Sequence, residues 1–471
     1  MAGPCGRPSP APARPPARAG PRRRGAGRWS PRLAAGLVAA SALGSLWQHP
    51  GVAGGDALTS CDQAFVAPEL PASASGPGRG ARRRSRHSSR LFCRAASAPV
   101  ETLTKHPRLP VWPAWFGLVY ILLDLITGNP KLGAALEDRF GGRVCPMIFQ
   151  EDSKTDPFLL VAHHRHSFGF LDPFRYVFRA LLPEGFPAHP HRGFETVTYV
   201  LRGGLVHRDS FGVKKSYGAP NGSEGSGEDA AVQWMTAGSG LLHEEMWRTG
   251  EVADSTDQEL FQIWVNLPAR AKMVRPRMQM LGHSEGSAAD SSQVEVLELG
   301  PVPHAEPAPG VTVRVVAGEA CGAASPVETY SDLAILHVTL EPDTSWTWPK
   351  PPGWTCVVYA RKGEASVGGT GQAVPVHHTA TLAQAAAGAE LAAGPEGADL
   401  LLLAGAPLRE PVQMGANIVM NTPLQLDDAD RDLAAGLFGP RWRHTEPDED
   451  WRGIVASHWD RLTSAVRRQS R

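Results

Sequence analysis

The chain has no C-x-x-C pair. Its six cysteines, Cys5, Cys61, Cys93, Cys145, Cys321 and Cys356, are scattered over 471 residues, three of them within the first hundred. Such spacing argues against both a disulfide framework and a thiolate metal site, and it suits a reducing compartment. The chain also lacks net charge, since 47 basic residues meet 47 acidic ones. The two signs are unevenly spread. Residues 1–100 hold 15 Arg, no Lys and only three acids (Asp56, Asp62 and Glu69), which leaves 32 basic against 44 acidic residues beyond them. An acidic body offers no generic grip on a phosphate backbone, so direct nucleic-acid binding is not expected. Neither of two apolar runs reaches the roughly 20 residues that a membrane-spanning helix needs. One is Leu33–Trp47; the other is the 16-residue "VWPAWFGLVYILLDLI" (111–126), which contains Asp124. The second run reads as a helix packed on the body or an interfacial anchor, with a stop-transfer segment as the alternative.

What is present begins with the leader. "RRRGAGRWSPRLAAGLVAASALGSLW" places a basic stretch before an apolar run, the layout of a secretory signal. The following "AFVAPELPASASGPGRGARRRSRHSSRLFCRAASAPVE" is rich in Arg, Ser, Ala and Pro and nearly free of acids, as transit peptides are. Signal plus transit implies two membranes in series. "AFVAP", with Phe65 after an alanine, resembles the phenylalanine motif of bipartite plastid leaders in algae whose plastids came by secondary endosymbiosis. The expected address is therefore a plastid, with cytoplasm or nucleus as the alternative.

From Arg143 onward the texture changes to short β-rich runs, among them "ETVTYVL", "LFQIWVNL", "DLAILHVTL" and "TCVVYARKG", separated by Gly, Pro and Asp. Many short strands with frequent turn signals predict sandwiches or barrels. One helix is well signalled. Thr422 can cap it and Pro423 suits its first turn, with Leu426, Leu433 and Leu437 among its apolar positions. The stretch 219–230 reads as a flexible loop and 282–293 as a mobile linker. A further amphipathic helix is expected in the tail from Arg441 to Arg471.

Chemistry enters with "GFPAHPHRGFETVTYV" (185–200), where His189 and His191 sit two apart on a stretch that reads as a strand. Residues i and i+2 share a strand face, so the two imidazoles can converge on one small volume; an isolated pair of surface histidines is the competing reading. Downstream, "QWMTAGSGLLHEEMW" supplies a second such pair, His243 and Glu245, after a turn at Gly238 and Gly240. Three imidazoles and one carboxylate without a thiolate suit Fe(II), Mn, Ni or Cu better than a closed structural zinc site. The cluster "HHRHS" (163–167) is expected to be solvated or hydrogen-bonding, and His377–His378 lacks a second pair.

"FPAHPHRGFETVTYVL", "QWMTAGSGLLHEEM", "LFQIWVNLP", "PPGWTCVVYARKG", "LAGAPLREPV" and "VMNT" are similar, in order and spacing, to segments of the pirin family over about residues 143–440. That resemblance implies an all-β protein of two tandem cupin (double-stranded β-helix, or jelly-roll) barrels with short C-terminal helices and one iron, Fe(II), in the first barrel. The implied organisation is a leader over 1–105, an apolar helix or linker over 106–142, the metal-binding cupin over 143–282, a second cupin over 283–440, usually metal-free in the family, and a tail over 441–471. It carries the metal ligands onto His189, His191, His243 and Glu245. Glu195, where other cupins supply a carboxylate ligand, is implied to orient a histidine or a bound water. Gly193 interrupts the alternation between His191 and Glu195, so spacing alone does not decide that point. The loop before Gln233 departs from the family by its length and by lacking a tight Pro-Gly turn.

Two functions follow from the resemblance. One is a quercetin 2,3-dioxygenase reaction on a flavonol-like phenolic with dioxygen, in which Glu245 or Glu195 takes the proton. The other is a redox reporter whose iron alters a surface recognised by a protein partner, as in pirins described as transcription cofactors. A monomer is expected in either case. The leader reading makes a separate prediction: residues 1–105 fused to a fluorescent protein enter the plastid of a complex-plastid alga, and Phe65→Ala diverts the fusion to the secretory route. Uniform cytosolic fluorescence from the unmodified leader would refute the address.

Overall fold

A computed structural model describes residues 97–110, 125–128, 141–149, 153–168, 183–219, 230–249, 256–286, 294–369 and 371–469. Most of the leader (1–96), most of the second apolar run (111–124) and the centre of the loop before Gln233 (220–229) lie outside them. Among the described residues no helix is long and apolar enough to cross a membrane.

The strand Phe194–Arg202, FETVTYVLR, shows how the sequence builds the core. Val200 packs with Leu205, Leu241 and Leu260 inside the N-terminal unit. Val197, Tyr199 and Leu201 face the other way and share a core with Ile335, Val357, Leu401 and Leu403 of the C-terminal unit. Burial on both faces explains why this strand reads as a nearly continuous apolar and β-branched run rather than a strict alternation.

The expectation of closed barrels is corrected: the fold is mostly β, in tandem cupin-like units, but among the described residues no sheet closes on itself. The N-terminal unit has two open sheets. One runs edge to edge through Gly185–His191, Leu241–Trp247, Gly204–Asp209, Lys214–Gly218 and Ser284–Glu285. The other runs through Glu295–Glu298, Arg277–Leu281, Ala231–Thr236, Phe194–Arg202, Thr256–Asn266, Phe158–Phe168, Gly141–Ile148 and Leu109–Pro110. They are joined by packing, with Leu205, Tyr217, Leu241 and Trp247 against Val200, Leu260, Met278 and Met280. The edge strand Gly185–His191 carries Pro187 and Pro190, which have no N–H to offer a further strand, so the ladder stops there.

The C-terminal unit is one open nine-stranded sheet around a core that includes Val313, Leu336, Val358 and Leu400. Its edge is Val100–Lys105, paired antiparallel with His378–Leu382. Residues 97–105, assigned above to the leader, are thus part of the fold. Part of the expected linker is ordered as well, because Ser284 and Glu285 pair with Tyr217 and Ser216.

Helix α1, Pro423–Ala434, starts as anticipated. Thr422 Oγ1 accepts from Gln425 N, and Gln425 Oε1 accepts from Thr422 N at 3.1 Å, a reciprocal capping box. Leu426 and Leu433 pack inward, whereas Leu437 lies beyond the helix and is exposed. Helix α2, Asp448–Gln469, has 22 residues and is not short. With the segment before it, it buries Phe438, Trp442, Trp451 and Val455 against Leu242 and Ile418, so the tail caps the back of the sheet that carries His243. Trp451→Ala should therefore destabilise the protein by about 3–5 kcal/mol, as large-to-small core changes do, and equilibrium urea unfolding checks this. A loss below about 1 kcal/mol would mean that the tail is not a structural part of the unit.

Candidate metal centre

His189 and His243 face one another across an antiparallel pair, with His191 opposite Leu241. Because His189 and His191 are two apart on one strand, all three rings meet on one side of the sheet. Their centroids lie 4.5–4.8 Å apart, and their donor nitrogens all fall within 4.8 Å of one another. The chain turns sharply straight after His191. Gly193 has φ +81°, and a Cβ there would lie 2.0 Å from the Val419 carbonyl. Lys272 pins this turn, its Nζ donating to Gly193 O (2.9 Å), Val419 O (3.0 Å) and Asn266 Oδ1 (2.7 Å).

Burial holds the three histidines neutral. His189 is pushed down to about 4, by burial first; His191 lies well below the ordinary imidazole value by burial and then by His189, and His243 by burial and then by His189, His191 and His207. His189 Nδ1 donates to Pro187 O at 2.8 Å, which leaves Nε2 with a lone pair. Nε2 of His191 and of His243 are buried without a hydrogen-bond partner among the described residues. Neutral imidazoles with inward, unclaimed nitrogens fit a divalent transition-metal ion, because orphaned buried nitrogens are otherwise costly.

Glu245 is not part of that group of donors. A bulge follows His243, so that Glu245 pairs with Phe186. Its Oε1 accepts from Thr198 Oγ1 at 2.9 Å and from Tyr217 OH at 3.0 Å. Burial raises its pKa, against the lowering effect of His207, Thr198 and Tyr217. Glu195 lies on the opposite face of its strand. His191 packs against Phe194, with ring centroids 5.0 Å apart, whereas Glu195 alternates with Phe194 and shares its side with Val197 and Tyr199, towards the C-terminal unit. There Glu195 Oε1 accepts from Thr236 Oγ1 at 2.7 Å, and burial pushes its carboxyl up to about 7. The structure does not bring Glu195 to the histidines.

Several neighbours went unnoticed in the sequence. His207 stands behind His243, Nδ1 to Nδ1 at 3.4 Å, and Asp209 stands behind His207 at 3.5 Å. "VHRD" has the same i, i+2 spacing as the two recognised pairs, a signal that could have found them. Tyr217 and Thr198 left no such signal. His163, expected to be solvated or hydrogen-bonding, is buried and bonded to Glu259 and Tyr359; His164 and His166 are buried against Phe186 and Trp247.

Two tandem cupin-like units with a candidate histidine metal site in the first define a class of cupin-like β proteins. Comparisons narrow it. The family "Pirin" matches residues 148–265, and "Pirin C-terminal cupin domain" matches residues 335–439. Human Pirin is 36% identical over 263 residues, covering 55% of this chain and 80% of that protein. The Pirin-like protein of Solanum lycopersicum is 35% identical over 272 residues, covering 57% and 82%. A solved structure of quercetin 2,3-dioxygenase from Acinetobacter baumannii aligns with a TM-score of 0.55 at 27% identity, over 74% of this chain and 100% of that one. The chain belongs to the pirin family.

Metal analysis by mass spectrometry is expected to find one ion per chain. His191→Ala and His243→Ala should each lose most of it while keeping the β circular-dichroism signal, and His377→Ala should keep it. Full occupancy in both site variants would sink the assignment.

Proposed function

We propose that the protein is an iron-binding bicupin that cleaves a flavonol-like phenolic with dioxygen, as a metal-dependent dioxygenase of the quercetin 2,3-dioxygenase type. Fe(II) is the ion we favour, over Mn, Ni or Cu, held by His189, His191 and His243 with Glu245 as the fourth donor. The observation that carries the reading is the trio of neutral histidines, two of them buried with unclaimed Nε2 atoms, in a chain related to a structure that bears that enzyme name. Bound there, such an ion supplies Lewis acidity toward a phenolic hydroxyl and a redox partner for dioxygen.

The chain's own residues do the rest. Phe194 and Trp264 wall the His191 side, with ring centroids 5.0 and 5.7 Å from it, and offer aromatic surface to orient a planar ring and exclude water. Glu245 takes the hydroxyl proton: burial raises its basicity, and Thr198 and Tyr217 hold the carboxylate in place until then. Glu195 has no part in this step, since it faces the other side of the sheet.

One observation favours the sensor reading instead. Leu242 and Glu244, on the back of the ligand strand, pack against the C-terminal cap. Glu244 accepts from Arg208 Nε at 2.5 Å and from Trp442 Nε1 at 2.8 Å, a direct mechanical link from the histidines to an outer surface that a protein partner could read. Under either reading the plastid address remains a proposal resting on the leader.

An oxygen electrode run alongside flavonol absorbance separates the two. Iron-loaded protein is expected to consume oxygen in proportion to quercetin lost. Glu245→Ala should slow this by about a hundredfold or more, the usual contribution of a general base, and Glu195→Gln should leave it largely intact. Absence of both flavonol binding and oxygen uptake, together with a partner affinity that changes on oxidation, would replace the enzyme reading with the sensor.

A further inference from the structure

The segment "VHRDSFG" (206–212) repeats the i, i+2 spacing of the two ligand pairs, but its polar side chains stand behind the histidine cluster rather than in it. The strand Gly204–Asp209 pairs antiparallel with Leu241–Trp247, placing Asp209 opposite His243 and His207 opposite Glu245. Residues opposite one another share a sheet face, so His207 and Asp209 point the same way as His243. All three are fully buried. The His207 and His243 rings tilt together with centroids 5.3 Å apart and Nδ1 atoms 3.4 Å apart. The other nitrogen of His207, Nε2, faces Asp209 Oδ2 at 3.5 Å.

Asp209 is itself held still. The chain after its strand folds back so that Phe211 N and Val213 N both donate to Oδ1, at 2.8 and 3.0 Å. Oδ2 receives no such bond. Among the described residues it is the one buried carboxylate oxygen without a hydrogen-bond partner, and the Nε2 atoms of His207 and His243 lack one too. A buried acceptor and a buried ring nitrogen, each unpartnered and facing the other, are costly unless a proton lies between them.

These unclaimed atoms decide where the protons go. Of two neighbouring ring nitrogens, one donates and the other accepts. If His207 donated, its Nε2 would turn a lone pair on the Asp209 carboxylate, and His243 would carry its proton on Nε2, the nitrogen left for a metal. If His243 donates, His207 accepts on Nδ1 and carries its own proton on Nε2, where Asp209 Oδ2 accepts it. Only the second arrangement satisfies every atom in the line and leaves the His243 Nε2 lone pair free. His189 reaches the same end by itself, through its Nδ1 bond to Pro187 O.

We propose that His207 and Asp209 are positioning residues for the metal centre: Asp209, acting through His207, holds His243 in the tautomer protonated on Nδ1 and so presents Nε2 to the ion. The proposal rests on the reading of His243 as a metal ligand. A carboxylate behind a ligating imidazole fixes its tautomer and orientation, and here it acts through a second ring.

Histidine-selective nitrogen-15 NMR of the metal-free full chain, at about pH 8 and so above the ordinary imidazole range, reads the tautomers directly. His243 is expected to carry its proton on Nδ1 and His207 on Nε2. Asp209→Asn keeps the shape of the side chain, but its oxygen must still face Phe211 N and Val213 N, so its NH2 donates to His207 Nε2 and the line of protons reverses. His243 then takes the wrong tautomer, as a catalytic histidine does when the aspartate behind it becomes asparagine. Competition titration with Ni(II) should find the affinity of this variant lowered about 10–100-fold, with the β circular-dichroism signal retained. Adding His207→Asn, whose side-chain oxygen can accept from His243 Nδ1 without Asp209, should restore much of the loss. A His243 protonated on Nε2 or a His207 protonated on both nitrogens in the unaltered chain would overturn the proposal whether or not the variants fold. So would an Asp209→Asn protein with unchanged tautomers and Ni(II) affinity, or a double variant that binds more weakly still. An unaltered chain with the expected tautomers but no affinity for Ni(II) would overturn the metal reading and not the proton arrangement.

Discussion

Adjacent residues on a strand point in opposite directions, and the strand Leu241–Trp247 depends on that more than any other part of the molecule. His243 and Glu245 turn inward to the candidate metal centre; Leu242 and Glu244 turn outward to the helical cap. A slip of one residue would bury Glu244 among the histidines and present His243 to Trp442 and Trp451. The cap is therefore more than a decoration on the tail. By requiring an apolar residue at 242 and a hydrogen-bonded carboxylate at 244, it fixes which residues of the strand reach the metal side.

Burial sets the chemistry of that side. Histidines in water titrate near neutral pH, but here desolvation and mutual repulsion keep them unprotonated, the state in which an imidazole can bind a metal. The eight-stranded sheet, which turns Phe194 and Trp264 to His191, solves a different problem on its other face. A chain of bonds runs from Tyr199 through His337, Asp399, Arg361, Glu259 and His163 to Tyr359 and His377, tying the two units together. Removing Arg361 from this chain would take the shared countercharge from both Glu259 and Asp399, which is far costlier than the net contribution of an exposed pair. The sheet thus separates an uncharged histidine pocket from a charged seam.

Motifs that lie on one strand were readable from the chain alone, because their meaning depends only on local period. The pairs His189/His191 and His243/Glu245, the turn at Gly238 and Gly240, and the Thr422 capping box all fall in this group. Positions that depend on how strands meet were not. Glu195 was expected near a histidine, yet the left-handed turn at Gly193 sends it to the far face. Glu245 was expected as the fourth donor; what the chain alone did not show is that its carboxylate accepts from Thr198 and Tyr217. Closed barrels were expected, yet two prolines end a ladder at the edge strand that carries two of the histidines.

The sequence by itself determined the β texture, the family, the two candidate ligand pairs and the cap of α1, since each is written in neighbours a few residues apart. Only the tertiary structure decided that the tail backs the ligand strand, that residues 97–105 belong to the second unit, and that His207 and Asp209 line up behind His243. Those outcomes join residues tens to hundreds of positions apart. Their proximity follows from which sheet faces must be buried against one another, and no local pattern encodes that.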